Sequence, residues 1–165
     1  MKSLYLIRHA KSSKDDPSLR DFDRPLNEKG HDDAAYMAAY MKFHHVQPDL
    51  IISSPAKRAI STCEYFATAL NYPLDKIQHE MAVYDASATD LYDVIHAIDN
   101  QYQTVLIFGH NPSVSIFTDG YTPELTNILP TCSIVSFVSK SPADWKKFNP
   151  DHAKFANLWS PKDFA

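Results

Sequence analysis

Apolar residues in this chain form short runs and helically spaced stripes, and the two patterns alternate along the sequence. The short runs end in polar residues and predict β-strands at residues 4–7, 50–52, 76–79, 104–108 and 133–138. Apolar side chains three and four positions apart predict helices at residues 31–43, 55–70, 88–98 and 113–119. Strands that alternate with helices indicate βαβ units. We therefore predict an α/β fold of three layers, in which helices flank a mostly parallel central sheet.

The turn residues refine this outline. A serine cap and a first-turn proline in Ser53-Ser54-Pro55 predict that the second helix begins there. Gly30 closes the polar, turn-rich loop that follows the first strand. The tail from about residue 140 is rich in Pro, Lys and aromatic rings, and we expect those rings to pack back on the domain, since aromatic side chains are usually buried. The alternative is an arm that binds a partner.

The composition narrows the class of protein. A chain of 165 residues suits one domain, which we expect to span residues 1–165. Its formal net charge of −4 and pI near 6.0 argue against a general nucleic-acid binder. No apolar run approaches the roughly 20 residues of a membrane helix, and the N-terminus leads straight into a strand without a signal-peptide pattern. Cys63 and Cys132 form no CxxC pattern, so we expect neither a metal nor a disulfide, in a reducing cytoplasm.

Polar side chains follow three of the predicted strands at the point where each strand ends. Arg8 and His9 follow the first strand, Arg58 lies just past the second, and His110 follows residues 104–108. Because the carboxyl ends of parallel strands meet at one edge of a sheet, we expect these side chains to converge. Arg58 falls in the first turn of its helix, where free backbone N–H groups favour an anion. Two guanidinium groups, two imidazoles and a helix N-terminus predict a phosphate pocket.

The residue types in this pocket indicate phosphoryl transfer. A neutral imidazole is a competent nucleophile toward phosphorus, so His9 is the candidate to attack in line. Arg8, Arg58 and His110 would stabilise charge on the equatorial oxygens, and water would then hydrolyse the phosphohistidine. This route needs no metal or other cofactor, because cationic side chains take over that role.

Other phosphate-handling motifs are missing or misplaced. The sequence holds no Walker loop of the GxxxxGKS/T type. A cysteine phosphatase would need an arginine six positions after its cysteine, where Cys63 is followed by Ala69 and Cys132 by Val138. Asp21-Phe22-Asp23 imitates an aspartate-nucleophile motif, but it follows a polar loop instead of an apolar strand, and we discard it as a nucleophile.

Four segments in order carry a resemblance to a known family: LIRHAKSS, DRPLNEKG, SSPAKRAISTCE and FGHNP. They resemble the histidine phosphatase superfamily and, within it, the small SixA-type phosphohistidine phosphatases, from residue 4 to about 138. The resemblance implies a phosphoglycerate mutase-like α/β fold, His9 as the phosphorylated nucleophile, and Arg8, Arg58 and His110 as the rest of the pocket core. Ala10 stands where the commonest motif of the superfamily has Gly, which is compatible with the SixA-like branch.

The remaining site residues are less constrained by the sequence. Many superfamily members place a carboxylic acid after the strand that corresponds to residues 76–79, which makes Glu80 the candidate general acid and Asp85 a weaker rival. Arg24 either reaches the phosphate or pairs with a loop aspartate. Lys11 and Ser12 follow His9 directly and either add donors to the phosphate or lie in a solvated loop.

The resemblance also implies the substrate class. We expect phosphohistidine on a protein of the histidine phosphotransfer type, with inorganic phosphate as the occupant after reaction, in cytoplasmic signal transduction. An imidazole leaving group has a conjugate-acid pKa of about 6.5 and departs readily, so such an enzyme works with a poor general acid or none. The alternatives are a phosphatase of small phosphate esters and a catalytically silent phospho-binding module.

Overall fold

The structure, a computed structural model, describes residues 1–125, 128–140 and 143–164. Its α-helices are α1 (Glu28–Phe43), α2 (Lys57–Ala69), α3 (Ala88–His96) and α4 (Ser113–Asp119). Its strands are β1 (Ser3–Arg8), β2 (Leu50–Ser53), β3 (Gln78–His79), β4 (Thr104–Gly109), β5 (Ile134–Ser139) and β6 (Ala153–Trp159). Short 3₁₀ helices, among them Asp21–Asp23 and Met81–Val83, connect these elements. No described helix is both long and apolar enough to cross a membrane.

The strands form one sheet in the order β3-β2-β4-β1-β5-β6. Strands β1 to β4 run parallel, whereas β5 pairs antiparallel with both β1 and β6. Arg8 at the end of β1 lies opposite Gly109 of β4, and Ser53 at the end of β2 lies opposite Phe108. The predicted mostly parallel sheet is confirmed, and the carboxyl ends of three neighbouring strands meet at one edge.

The core has two halves because successive side chains of a strand point to opposite faces of the sheet. On one face Leu6 of β1 packs in a cluster with Leu91 of α3 and with residues of α4. On the other face the next residue, Ile7, packs with Met37 of α1 and Phe66 of α2. The sheet is thus covered by two helices on each face, and its three-layer arrangement follows from the alternation of apolar side chains within single strands.

Two helices begin at residues other than those predicted. Helix α1 starts at Glu28, three residues early, because the Asn27 side chain accepts a hydrogen bond from the Gly30 N–H at 2.7 Å and caps the first turn. Gly30 therefore lies inside the helix. The prediction that α2 begins with a cap at Ser53-Ser54-Pro55 is wrong. Helix α2 starts at Lys57, and the Ser54 hydroxyl accepts a hydrogen bond from the Ala56 N–H at 3.2 Å in the preceding turn.

The tail adds a strand that the sequence pattern missed. The last predicted strand, at residues 133–138, corresponds to β5, and a further strand, β6, pairs with β5 at the edge of the sheet. The sequence of β6, AKFANLW, has no continuous apolar run, and only Ala153 of its seven residues is fully buried in the structure. Trp145 and Phe148 are completely buried in the core, and Trp159 stacks on His44 with ring centroids 4.8 Å apart.

Candidate active site

A cavity of about 340 Å³ opens at the carboxyl edge of β1 and β4. Every predicted site residue except Glu80 lines it, and the described residues of its lining are Arg8, His9, Lys11, Ser12, Lys14, Arg24, Arg58, His110, Asn111 and Thr131. Five of these ten residues carry a positive charge, and none carries a carboxyl group. Larger depressions beside His31 and His44 have no arginine in their lining, so the chemistry of the lining, and not its volume, singles out this site.

The ends of neighbouring strands hold the two central residues in place. The His9 N–H donates to the Gly109 carbonyl at 3.0 Å, and the His9 carbonyl accepts from the Cys132 N–H at 3.0 Å. The Arg8 N–H donates to the Ser133 carbonyl at 3.0 Å. The backbone of Arg8 and His9 is therefore hydrogen-bonded to neighbouring segments on both sides, which holds the His9 ring in place.

The His9 ring is held in the tautomer that a nucleophile requires. Its Nδ1 lies 2.7 Å from the Ala10 carbonyl, which only accepts, so Nδ1 carries the proton and Nε2 keeps its lone pair. The Arg58 Nε–H points at that lone pair across 3.3 Å. Burial lowers the pKa of His9 to about 4; the Ala10 hydrogen bond opposes this shift, and the charge of Arg58 adds to it. His9 is consequently neutral at pH 7.

His110 lies beside His9, with ring centroids 5.2 Å apart. Its Nε2 is 2.8 Å from the Ser54 hydroxyl, and its Nδ1 is buried without a hydrogen-bond partner. When the Ser54 hydroxyl donates to Nε2, the neutral ring carries its proton on Nδ1. Burial lowers the pKa of His110 to about 3, and His9 and Arg58 act in the same direction.

Arg8 contributes a second unpaired donor. Its Nη1 donates to the Leu129 carbonyl at 2.6 Å, while its Nε is buried without a partner. Among the residues described, Arg8 Nε and His110 Nδ1 are the two buried side-chain nitrogen or oxygen atoms that lack a hydrogen bond. Buried donors normally find a partner, since an unsatisfied one costs about 1–3 kcal/mol. Both belong to residues that line the same cavity, which indicates a site for an anionic acceptor.

Asp21 is a neighbour of the site that the sequence analysis missed. Asp21 holds Arg58 in place through two hydrogen bonds. Arg58 Nη2 donates to the Asp21 carboxylate at 2.9 Å, and Arg58 Nη1 donates to the Asp21 backbone carbonyl at 2.6 Å. Arg24 and the Tyr84 hydroxyl donate to the same carboxylate at 3.1 and 2.8 Å. Partial burial favours a higher pKa for Asp21, but the Tyr84 and Arg58 hydrogen bonds hold it well below its usual range. The carboxylate is therefore ionised and cannot act as a general acid.

The position of Arg24 is compatible with both roles that the sequence offered, contact with a bound phosphate and pairing with a loop aspartate. It lines the cavity and also pairs with the Asp21 carboxylate. The signal that could have linked Asp21 to the site was the spacing of two acids and two arginines over residues 20–24, but nothing in that local pattern reveals the long-range contact with Arg58.

Glu80 is the one predicted site residue that the structure keeps out of the cavity. Its backbone N–H donates to the Ser53 carbonyl, and its carboxylate accepts from the Ala82 N–H at 3.2 Å, capping the Met81–Val83 turn. The side chain lines a separate cavity with Leu50 and other residues on the α3 face of the sheet. The structure thus places Glu80 outside the lining of this cavity, so the geometry does not support Glu80 as the general acid, and that role stays a prediction. Its rival Asp85 is exposed and does not line the pocket either.

The thiols and possible metal ligands take no part in this arrangement. Cys63 and Cys132 are buried and unpaired by a disulfide. Within residues 1–125, 128–140 and 143–164, no group of three or more His, Cys, Asp or Glu side chains is placed to hold a metal ion.

Comparisons with known proteins agree with this geometry. Residues 4–81 match the sequence model of the histidine phosphatase superfamily (branch 1). An uncharacterised chloroplastic protein of Arabidopsis thaliana is 35% identical over 118 residues, which cover 67% of this chain and 54% of that protein. The phosphohistidine phosphatase SixA of Escherichia coli is 26% identical over 149 residues, covering 88% of this chain and 90% of that protein. This chain spans 65% of an uncharacterised Mycobacterium tuberculosis relative.

The fold has close counterparts among solved structures. The putative SixA of Agrobacterium tumefaciens superposes with a TM-score of 0.81 at 26% identity, covering 97% of this chain and 98% of that one. A SixA structure complexed with tungstate gives a TM-score of 0.82 at 22% identity, with 99% of each chain covered. The predicted phosphoglycerate mutase-like architecture is confirmed.

Proposed function

Because this chain belongs to the histidine phosphatase superfamily, we propose that it is a metal-independent phosphatase that carries the phosphoryl group on His9. One observation supports this proposal most directly: two buried donors without a partner, Arg8 Nε and His110 Nδ1, line the cavity that holds the His9 ring. A phosphoryl group in that cavity would give both donors an acceptor, and it would bring phosphorus within reach of His9 Nε2.

The first chemical step is in-line attack of His9 Nε2 on phosphorus. The bond from phosphorus to the leaving group breaks as the bond to Nε2 forms, and the proton stays on Nδ1, hydrogen-bonded to the Ala10 carbonyl. The equatorial oxygens take hydrogen bonds from Arg8, Arg58 and His110, which stabilise their charge. Arg58 Nε, which now faces Nε2, then faces the transferred phosphoryl oxygens.

The second step regenerates the enzyme. Water attacks phosphorus, the bond to Nε2 breaks, and inorganic phosphate leaves while His9 returns to its neutral form. A low pKa for His9 makes its imidazole a good leaving group here, because the departing ring need not take up a proton. The same two arginines and His110 serve both steps.

The leaving group narrows the substrate class to phosphohistidine on a protein. None of the described residues that line the cavity has a carboxyl group, and the Asp21 carboxylate, which is hydrogen-bonded to Arg58, is held ionised. An alkoxide needs a proton in order to leave, whereas a phosphohistidine ring whose other nitrogen is protonated leaves as neutral imidazole, with a conjugate-acid pKa of about 6.5, and needs no further proton. The similarity to E. coli SixA, a phosphohistidine phosphatase, supports the same choice. A cytoplasmic signalling role follows from that substrate and stays a prediction.

The test is rapid-quench labelling with a radiolabelled phosphohistidine peptide. We expect an acid-labile, alkali-stable phosphoryl group on the wild-type protein and none on His9→Ala, with His31→Ala, an exposed histidine of α1, as the matched control. Equal phosphate release by wild type and His9→Ala would contradict the His9 mechanism. Tight binding by both without label or release would instead indicate a silent phospho-binding module.

A further inference from the structure

The mouth of the cavity carries more positive charge than a phosphoryl group requires. Arg8 and Arg58 already stand beside His9 at the inner end, while Lys11 and Lys14 lie exposed at the rim. Neither lysine takes part in an ion pair with any described residue, although the chain as a whole has a formal net charge of −4. The surplus of positive charge is therefore a local property of this rim.

The segment that forms the rim is held in place by backbone hydrogen bonds. The Lys11 carbonyl accepts from the Asn27 N–H at 3.0 Å, and the Ser13 N–H donates to the Pro25 carbonyl at 2.8 Å. Gly30 in the first turn of α1 allows a very close approach, since a Cβ there would lie 2.0 Å from the Lys11 carbonyl oxygen. The segment that carries both lysines is thus anchored to the start of α1 as it leaves the catalytic strand.

We infer that Lys11 and Lys14 form an anion subsite that binds acidic side chains flanking the phosphorylated residue of a protein substrate. This inference rests on the proposed function and specifies its substrate further. Arg24 contributes less to the subsite, because the Asp21 carboxylate already neutralises it.

The size of the cavity favours a protein over a small molecule. Its volume of about 340 Å³ lies at the low end of ligand pockets, which measure about 300–1,000 Å³. Such a volume suits one phosphorylated side chain, and groups bound at Lys14 would then belong to the surface that carries that side chain. Complementary charge at a rim steers association and selects partners more than it adds buried contact energy.

The test compares two synthetic peptides of equal length that are phosphorylated on histidine with phosphoramidate. One has glutamates on both sides of the histidine and the other has glutamines. We expect wild-type kcat/KM to be about 2- to 30-fold higher for the glutamate peptide, the range for two exposed ion pairs. In the Lys11→Met/Lys14→Met variant we expect this ratio to fall to about 1. The preference of the wild type should also shrink in high salt.

A matched control is the Lys146→Met/Lys147→Met variant. These two lysines are exposed beside Trp145, whose ring N–H donates to Tyr102 near the amino end of β4, at the opposite edge of the sheet. The control should keep the wild-type ratio. A ratio near 1 in the wild type, or an unchanged ratio in the Lys11→Met/Lys14→Met variant, would overturn the subsite.

Two further measurements separate the possible failures. If wild type releases phosphate from neither peptide, the proposed function fails, and the ratio of the two peptide Kd values on His9→Ala still decides the subsite. If a small sugar bisphosphate has a higher kcat/KM than the glutamate peptide, and that advantage disappears in the lysine variant, the subsite binds a second phosphate and the inference of a protein substrate is overturned.

Discussion

Asp21→Asn removes the charge that orients Arg58 while leaving the size of the side chain unchanged. In the structure Arg58 makes three contacts: its Nε with the His9 ring, its Nη1 with the Asp21 carbonyl and its Nη2 with the Asp21 carboxylate. Arg58 is buried, whereas the Asp21 side chain is 55% exposed, so solvent screens this ion pair considerably. The variant therefore tests whether Asp21 positions the Arg58 guanidinium for catalysis or is a surface residue without effect on the reaction.

The expected loss of activity is moderate. Removal of a catalytic donor altogether costs about 10²- to 10³-fold in rate. In Asp21→Asn the charge of Arg58 and its bond to the Asp21 backbone carbonyl both remain, so we expect kcat to fall about 3- to 10-fold, or about 0.7–1.4 kcal/mol. We expect KM to stay constant or to fall, because the substitution removes negative charge beside an anion pocket. The free energy of unfolding should change by less than about 1 kcal/mol.

The assay is steady-state phosphate release from a phosphohistidine peptide, with Asp23→Asn as the matched control. Asp23 lies in the same 3₁₀ helix and pairs with Arg20 at 2.8 Å on the surface, away from Arg58. A split in which kcat falls and KM does not rise would identify Asp21 as a positioning residue. If Asp21→Asn and Asp23→Asn have the same kcat, the orienting role of Asp21 is refuted.

Three further predictions concern stability and reactivity. The pKa values of His9 and His110 are about 4 and about 3 in the folded protein, against about 6.5 in the unfolded chain, so the unfolded chain binds more protons below pH 6.5. The free energy of unfolding, measured with urea, should therefore be constant just above that pH and fall as the pH is lowered. His9 alone should account for a loss on the order of 3 kcal/mol by pH 4. Gly30→Ala should lower the free energy of unfolding by about 1–3 kcal/mol or more, since its Cβ would clash with the Lys11 carbonyl. Burial raises the pKa of the Cys63 thiol, so iodoacetamide should label it only after denaturation.

Each of these three has its own control. His9→Asn should flatten part of the loss of stability between pH 6.5 and 4, and an unchanged pH profile would contradict the assignment to buried imidazoles. Gly120→Ala, whose Cβ would come no closer than 3.3 Å to another atom, should be tolerated far better than Gly30→Ala. Rapid labelling of the native Cys63 would show that this part of the core opens readily.

Local patterns predicted the secondary structure and the position of the site because both follow from short segments. The apolar runs that became β1, β2 and β4 are buried on both faces of a parallel sheet, so they are continuous and easy to see in the sequence. Strand β6 escaped detection because it is an edge strand with mostly exposed side chains, and no apolar period marks it.

The sequence by itself determined the candidate site residues, and only the tertiary structure decided which of them lie together. Arg8 and His9 could be placed at the pocket because the ends of parallel strands must meet at one edge. The positions of Glu80 and Asp21 could not be predicted in this way, since the direction of a side chain on a loop depends on contacts that the sequence pattern does not show. In the structure the Glu80 carboxylate caps the turn at Ala82 and the residue lines a separate cavity, whereas Asp21 lies against Arg58, 37 positions away.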